Sequence, residues 1–285
     1  MLRRICVSTT TATALILTPT AIATPAGPVR VEQGAKVYFA DRGYCTIGFN
    51  DPVQRISYTA GHCGGDGTRA TITVDGSSVS GTFYPSSEFG ASATGNDWGA
   101  IRWDDGVQLG ANTVTGEAVA DIASLTPEDD LCVLTGGKPL CAPFAGRLKN
   151  NIYWQAPVGV RGDSGGPVWA PDKGFVAVYS GASTIYNDSG DTATLNRASK
   201  PINGPGVTEQ DELNFISAIK PIGGAVTHEA VQPGEGPARV EEGATEAEGS
   251  SLSTPGVMAV VLVVVAVIAG LVPFAAQYAR SVGWL

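Results

Sequence analysis

Three short stretches hold residue types that could together break an amide bond. Gly162-Asp163-Ser164-Gly165-Gly166-Pro167 sets a serine among glycines, and Thr59-Ala60-Gly61-His62-Cys63 holds a histidine. Gly95-Asn96-Asp97-Trp98-Gly99-Ala100-Ile101 puts an aspartate at the head of an apolar run. A serine hydroxyl is a poor nucleophile near neutral pH; it needs a base for its proton and a group that orients the base. It also needs donors aimed at the developing oxyanion. The only other histidine, His228, falls in a polar, acidic stretch, so His62 is the base expected in the folded part. Asp97, between small residues and Trp98, can be buried and accept from an imidazole N–H. The glycines let the backbone turn tightly and approach a substrate, so the N–H groups of Gly162 and Ser164 can converge on one point. Taken singly, each stretch also has a plain structural reading: a core histidine, a turn aspartate, a glycine-rich turn. Arg161-Gly162-Asp163 spells an adhesive tripeptide, which an inward-pointing Asp163 would leave undisplayed.

These groups need a rigid frame. From about Val29 to Thr227 the chain reads as short strands broken by glycines and Asx-Gly turns. Thr71–Val74, Asp75-Gly76 and Val79–Phe83 form a hairpin signal. Trp98–Trp103, Cys132–Thr135, Asn151–Ala156, Pro167–Ala170 and Gly174–Ser180 read likewise. Many short strands and few helical patterns imply closed β-barrels or a sandwich. One helix is expected near the end of this region. Thr208 and Asp211 resemble a capping box, and Leu213, Ile216 and Ile219 share a face.

The ends differ from the middle. Arg3 and Arg4 precede an apolar stretch and Ala21-Ile22-Ala23, which reads as a signal peptide over residues 1–23. Residues 24–227 are the expected folded domain. Residues 228–255 are rich in Glu, Gly, Pro, Ala and Ser, with too few large apolar groups to order themselves. Residues 256–277 contain an uncharged run, Val257 to Ala276, long enough to span a bilayer as one helix, leaving 278–285 as a short cytoplasmic tail. An exported chain anchored at the outer face of a cell membrane follows. The formal net charge of −9 argues against a nucleic-acid partner. Removing the leader removes Cys6 and leaves Cys45, Cys63, Cys132 and Cys141. In an exported chain these read as two disulfides, with three pairings open. No Cys-x-x-Cys pair supports a zinc site, and neither a metal nor a cofactor is expected.

Together, TAGHC, NDWGAI and GDSGGP, in the order His, Asp, Ser, resemble the chymotrypsin-like serine proteases. The compact spacing, and Arg42–Phe49, are similar to the secreted bacterial branch of streptogrisins and α-lytic protease. The resemblance covers roughly residues 30–222. It implies two six-stranded antiparallel β-barrels with a C-terminal helix. The triad His62, Asp97 and Ser164 would lie in the cleft, with an oxyanion hole from Gly162 and Ser164. It implies bridges Cys45–Cys63 and Cys132–Cys141. It places Val158 at the floor of the specificity pocket, Arg161 at its rim, Tyr179, Ser180 and Gly181 on the strand that binds substrate backbone, and Ala182 where many relatives have glycine. With no acid at Val158, cleavage after Lys or Arg is not expected. Two preferences compete: a small or medium apolar side chain, or an acidic one drawn by Arg161.

In the family Asp163 needs a cationic partner. Neither a freed N-terminus nor the usual internal arginine is present, since Val133 stands at that arginine's position. Arg161, Lys138 and Arg147 are the candidates. Protein or peptide substrates are implied, with activity falling as pH drops through the ordinary imidazole range near ~6.5. The alternative is a protease-fold surface module that binds without catalysis. An α/β-hydrolase esterase is disfavoured because the serine motif is not G-x-S-x-G.

Overall fold

The computed structural model describes residues 29–90, 94–155 and 157–231. The expected signal peptide, most of the linker, the apolar run and the tail lie outside the described residues. Among the described residues no helix is long and apolar enough to cross a membrane.

The strands in chain order are β1 Arg30–Val31, β2 Lys36–Phe39, β3 Gly43–Thr46, β4 Phe49–Asp51, β5 Ile56–Thr59, β6 Arg69–Val74, β7 Ser77–Pro85, β8 Gly99–Trp103 and β9 Gln108–Leu109. They continue with β10 Asp130–Thr135, β11 Lys138–Leu148, β12 Asn151–Trp154, β13 Pro167–Ala170, β14 Gly174–Asn187, β15 Thr192–Ser199 and β16 Val226–Val231. Among the described residues the one α-helix, α1, is Glu209–Ile219. The Asp75-Gly76 hairpin forms where its turn chemistry predicts: both residues have positive φ, 49° and 77°, as a twisted two-residue connection requires. The α1 capping box is also present, with Thr208 and Asp211 each satisfying the other's backbone N–H.

The first sheet runs β3-β2-β6-β7-β8-β5-β4. Alternation in β2 buries Val37 and Phe39, which join Ile47, Phe83, Ile101 and Trp103 in one core. The sheet is a half-barrel and not the closed six-stranded barrel expected. One run of chain, Gly43 to Asp51, supplies both of its edges. It breaks between β3 and β4, where Ile47 N donates to Ala35 O at 2.9 Å and Gly48 N to Tyr58 O at 2.8 Å. The second sheet runs β13-β10-β11-β12-β15-β14, and a β13–β14 pairing closes these six strands into a barrel. Leu131, Val133, Ile152, Trp154, Val168 and Tyr179 fill it.

β16 corrects the expected domain boundary. Residues 228–231, assigned by composition to the linker, continue a strand paired antiparallel to β14, from Val226↔Asn187 to Val231↔Ala182. His228 is therefore a second buried imidazole, its side chain 3% exposed. The expectation of a single histidine in the folded domain does not hold.

Candidate active site

His62 sits in a short 3-10 turn, Gly61–Cys63, directly after β5. The next residue, Cys63, is bridged to Cys45 of β3. Asp97 lies just before β8 and follows Asn96, whose φ of 59° is left-handed, a conformation asparagine adopts more readily than most residues. Asn96 is locked there: its Nδ2 donates to Gly204 O at 2.9 Å, and its Oδ1 accepts from Asn150 Nδ2 at 2.7 Å and Gly204 N at 2.8 Å. This turn directs the Asp97 carboxylate at His62. Oδ1 accepts from His62 N at 2.9 Å, and Oδ2 lies 2.8 Å from Nδ1.

Both side chains are nearly enclosed, 9% exposed for His62 and 7% for Asp97. Burial alone would raise the Asp97 pKa. The charge of His62, its hydrogen bonds and the charge of Arg197 outweigh burial and hold it below the ordinary value. The second barrel braces the aspartate. Ser199 Oγ of β15 accepts from Asp97 N at 3.1 Å, and Ser180 Oγ of β14 reaches Asp97 O at 3.4 Å. Ser199 Oγ in turn donates to Asn151 Oδ1 of β12.

Ser164 lies in the loop before β13. Its carbonyl accepts from Thr46 N at 2.8 Å, one residue after Cys45. Gly165 N donates to Tyr179 O at 2.7 Å. Gly165 has φ +80°, and a Cβ there would fall 1.9 Å from Thr59 Oγ1 and 2.6 Å from Ala60 N. Only glycine fits, and that fit seats Ser164 against the strand end that carries His62. His62 Nε2, the nitrogen turned away from Asp97, is buried and has no hydrogen-bond partner among the described residues. The serine–imidazole bond is thus not formed. An orphaned buried polar atom costs about 1–3 kcal/mol, and unliganded sites often hold such bonds long until substrate tightens them.

Gly162 has φ +89°, again a conformation that favours glycine. Its carbonyl accepts from Lys36 Nζ at 2.8 Å and Thr46 Oγ1 at 2.7 Å, both from the first sheet. Asp163 is 1% exposed and points inward, so Arg161-Gly162-Asp163 is not displayed. Its carboxylate accepts from Val160 N at 2.9 Å and Gly136 N at 3.3 Å, and lies 3.3 Å from Lys36 Nζ.

Lys36 is therefore the missing cation, and the three candidates are corrected. Arg161 and Lys138 are exposed, and Arg147 donates to Ile122 O. Sequence reasoning missed Lys36 because it lies 127 residues from Asp163. Its only signal was a basic residue at an outward position of an alternating strand.

Both implied disulfides, Cys45–Cys63 and Cys132–Cys141, are present. Of the remaining site residues, Val158 is half-buried and Arg161 exposed, while Tyr179, Ser180, Gly181 and Ala182 are buried in β14. The Tyr179 hydroxyl accepts from Gly159 N and donates to Asn196 Oδ1, both at 2.8 Å. Burial pushes its pKa up to about 12.

No family model matches the chain. It is 29% identical over 190 residues to the uncharacterized protein Rv1815 of Mycobacterium tuberculosis strain H37Rv, covering 56% of this chain and 76% of that protein. A counterpart from strain CDC 1551, the uncharacterized protein MT1863, is 27% identical over 194 residues with the same coverage. Among solved structures it is similar to a Nocardiopsis protease, NAPase, at 19% identity and a TM-score of 0.44, covering 60% of this chain and 93% of that one.

Proposed function

We propose that this protein is a serine endopeptidase of chymotrypsin-like type. The observation that carries the reading is the buried Asp97–His62 pair, aligned through Nδ1 with Nε2 left unpartnered, beside a glycine loop that only Gly165 can close. In this reading His62 Nε2 takes the Ser164 proton as Oγ attacks the peptide carbonyl. The N–H groups of Gly162 and Ser164 hold the oxyanion, each donor worth roughly 3 kcal/mol in comparable sites. His62 then protonates the leaving amine, and water repeats the cycle on the acyl-enzyme.

The half-buried Val158 and the buried, hydroxyl-satisfied Tyr179 favour a small or medium apolar side chain before the scissile bond. An acidic preference guided by the exposed Arg161 is the competing outcome of a peptide-library screen. Residues 257–276 would hold the domain at the outer face of the membrane, a reading supported by their apolar composition and tested by protease accessibility of intact cells.

The decisive experiment is covalent labelling with a fluorophosphonate probe, with Ser164→Ala as control. Labelling of Ser164 that disappears in the variant is expected. Failure of correctly folded protein to label, with no hydrolysis of any peptide library, would favour a protease fold kept for binding.

A further inference from the structure

Two clefts open beside the first sheet, at the end of β5 remote from His62. One, of about 410 Å³, is lined by Arg30 of β1, by Pro52 and Arg55 of the β4–β5 turn, and by Val107 and Leu109 around β9. The other, of about 260 Å³, is lined by Arg55 again, by Arg102 and Trp103 of β8, and by Asp105. Arg55 thus stands between the two. Strand pairing gathers these residues from distant parts of the chain. β1 runs parallel to β9, with Arg30 opposite Gln108. β5 pairs with β8, with Ile56 opposite Arg102, which sets Arg55 beside the strand that carries Arg102. Arg55 itself closes the tight β4–β5 turn with a left-handed φ of 57°, a conformation that costs a non-glycine residue energy.

The neighbouring carboxylates are engaged elsewhere. Asp51 accepts from Val53 N at 2.9 Å and Gln54 N at 3.0 Å within its own turn. Asp104 pairs with Arg69 through both oxygens. Asp105 is the one carboxylate in the lining of the clefts; it is fully exposed, with Oδ1 3.9 Å from Arg55 Nη1. The guanidinium groups of Arg30 and Arg102 have no hydrogen-bond or ion-pair partner among the described residues. Three cations therefore face two joined clefts on a chain whose formal net charge is −9. Like charges gathered around one opening repel one another, and a bound anion removes that cost. Guanidinium forks match the oxygens of a phosphate in pairs. Pro52, Val107 and Leu109 give the larger cleft an apolar wall, which suits an uncharged organic body beside a charged head. Three cations neutralise one or two phosphates, far fewer than a nucleic-acid backbone presents.

We propose that Arg30, Arg55 and Arg102 form a binding site for a phosphate ester that carries a short apolar group. The site is separate from the candidate active site. Ile56–Thr59 of β5 runs from the clefts toward His62, roughly 13 Å of strand at ~3.3 Å per residue, so a ligand there lies clear of the His62–Asp97 pair. It goes beyond the protease reading and stands whether or not Ser164 cleaves peptides. Such an ester comes either as a soluble small molecule or as the head of an anionic lipid, and the two sources are told apart by their affinities.

The test is a binding titration of the full-length protein in a non-ionic detergent. Three probes are used: glycerol 3-phosphate, dioctanoyl phosphatidylglycerol and, as the zwitterionic control, dioctanoyl phosphatidylcholine. Saturable binding of an anionic probe is expected, weakening as NaCl rises. Arg55→Gln, at the residue shared by both clefts, should lower the affinity about 10-fold, the loss of one charge-assisted contact. All three arginines are exposed, so their replacement leaves the core intact, and thermal unfolding near that of the parent checks this. Arg42→Gln, at an exposed arginine of the β2–β3 turn, should bind as the parent does. Glycerol 3-phosphate bound as tightly as the lipid assigns the site to a soluble ester, and a clear preference for phosphatidylglycerol assigns it to a membrane headgroup. Three results overturn the proposal: no saturable binding of either anionic probe, equal affinity in the parent and in Arg55→Gln, or phosphatidylcholine bound as well as phosphatidylglycerol.

Discussion

The molecule contains two buried histidine–carboxylate pairs, and they are wired differently. At the first, Asp97 takes both the N–H and the Nδ1 of His62, leaving Nε2 without a hydrogen-bond partner among the described residues. At the second, Glu212 of α1 lies against His228 of β16, with Ser183 of β14 again nearby. There the serine donates to the carboxylate at 2.8 Å and not to the imidazole. Tyr153 donates to the other carboxylate oxygen, and Arg197 donates to Ser183 Oγ at 2.7 Å. His228 is at ion-pair distance from Glu212 without hydrogen-bond alignment. A serine, a histidine and a carboxylate thus form a candidate site in one place and a clamp in the other. What distinguishes them is that the second carboxylate is held by Ser183, Tyr153 and Arg197, while the first is held by His62 through both its N–H and its ring.

Mutations at the two pairs should separate turnover from stability. The largest effect is expected at the first pair: Asp97→Asn should lower kcat roughly 10⁴-fold by loss of the correct imidazole tautomer, with thermal unfolding near that of the parent. Near-full activity in that variant would remove Asp97 from the triad and leave the two pairs alike in function. The next effect belongs to the second pair. His228→Ala leaves the buried Glu212 with fewer partners and should cost about 3 kcal/mol of stability, since a buried carboxylate that loses a neighbour is destabilised. Urea unfolding reads this, and Ser164 in the folded fraction should still label.

A smaller change is expected at the link between the sheets. Lys36→Met should lower kcat/KM about 10- to 100-fold by loosening the Gly162 carbonyl and Asp163, and Lys36→Arg should restore part of it. A Lys36→Met variant with parental kinetics would show that the loop is set without its cation.

The smallest effect is in pH. Burial would raise the Glu212 pKa, but Arg197, His228 and Tyr153 outweigh it and hold it at about 2 against an ordinary 4.5. Because the folded value lies below the unfolded one, the stabilisation is complete above pH 4.5 and is lost as pH falls toward 2. Thermal midpoints should therefore drop over that window, and Glu212→Gln should flatten this part of the curve.

The loops that hold His62, Asp97 and Ser164 were more legible in the sequence than their support. Glycine, histidine, aspartate and serine must appear at fixed local spacings to make the His62, Asp97 and Ser164 loops, so short windows suffice. The Asp75-Gly76 hairpin and the Thr208 cap are equally local. Lys36 was not legible because its partners Gly162 and Asp163 meet it only after the two sheets dock. β16 was hidden for a compositional reason: Val226–Val231 is a six-residue strand directly followed by Gln-Pro-Gly and an acidic stretch, and its buried histidine reads as polar. The break between β3 and β4 was missed because Thr46-Ile47-Gly48-Phe49 carries no proline and no turn pair.

Lys36 also sets an order of events during synthesis. The early half of the polypeptide carries the cation, and the late half carries the loop that it holds. A chain emerging from the ribosome delivers Lys36 long before residue 163, and domains tend to form in order of emergence. Until the later barrel has closed and laid Gly162 against its neighbour, Lys36 has no loop to fix around Ser164. A chain interrupted midway therefore holds Lys36 without the loop it is meant to fix, and the arrangement around Ser164 arrives only with completion of the second half.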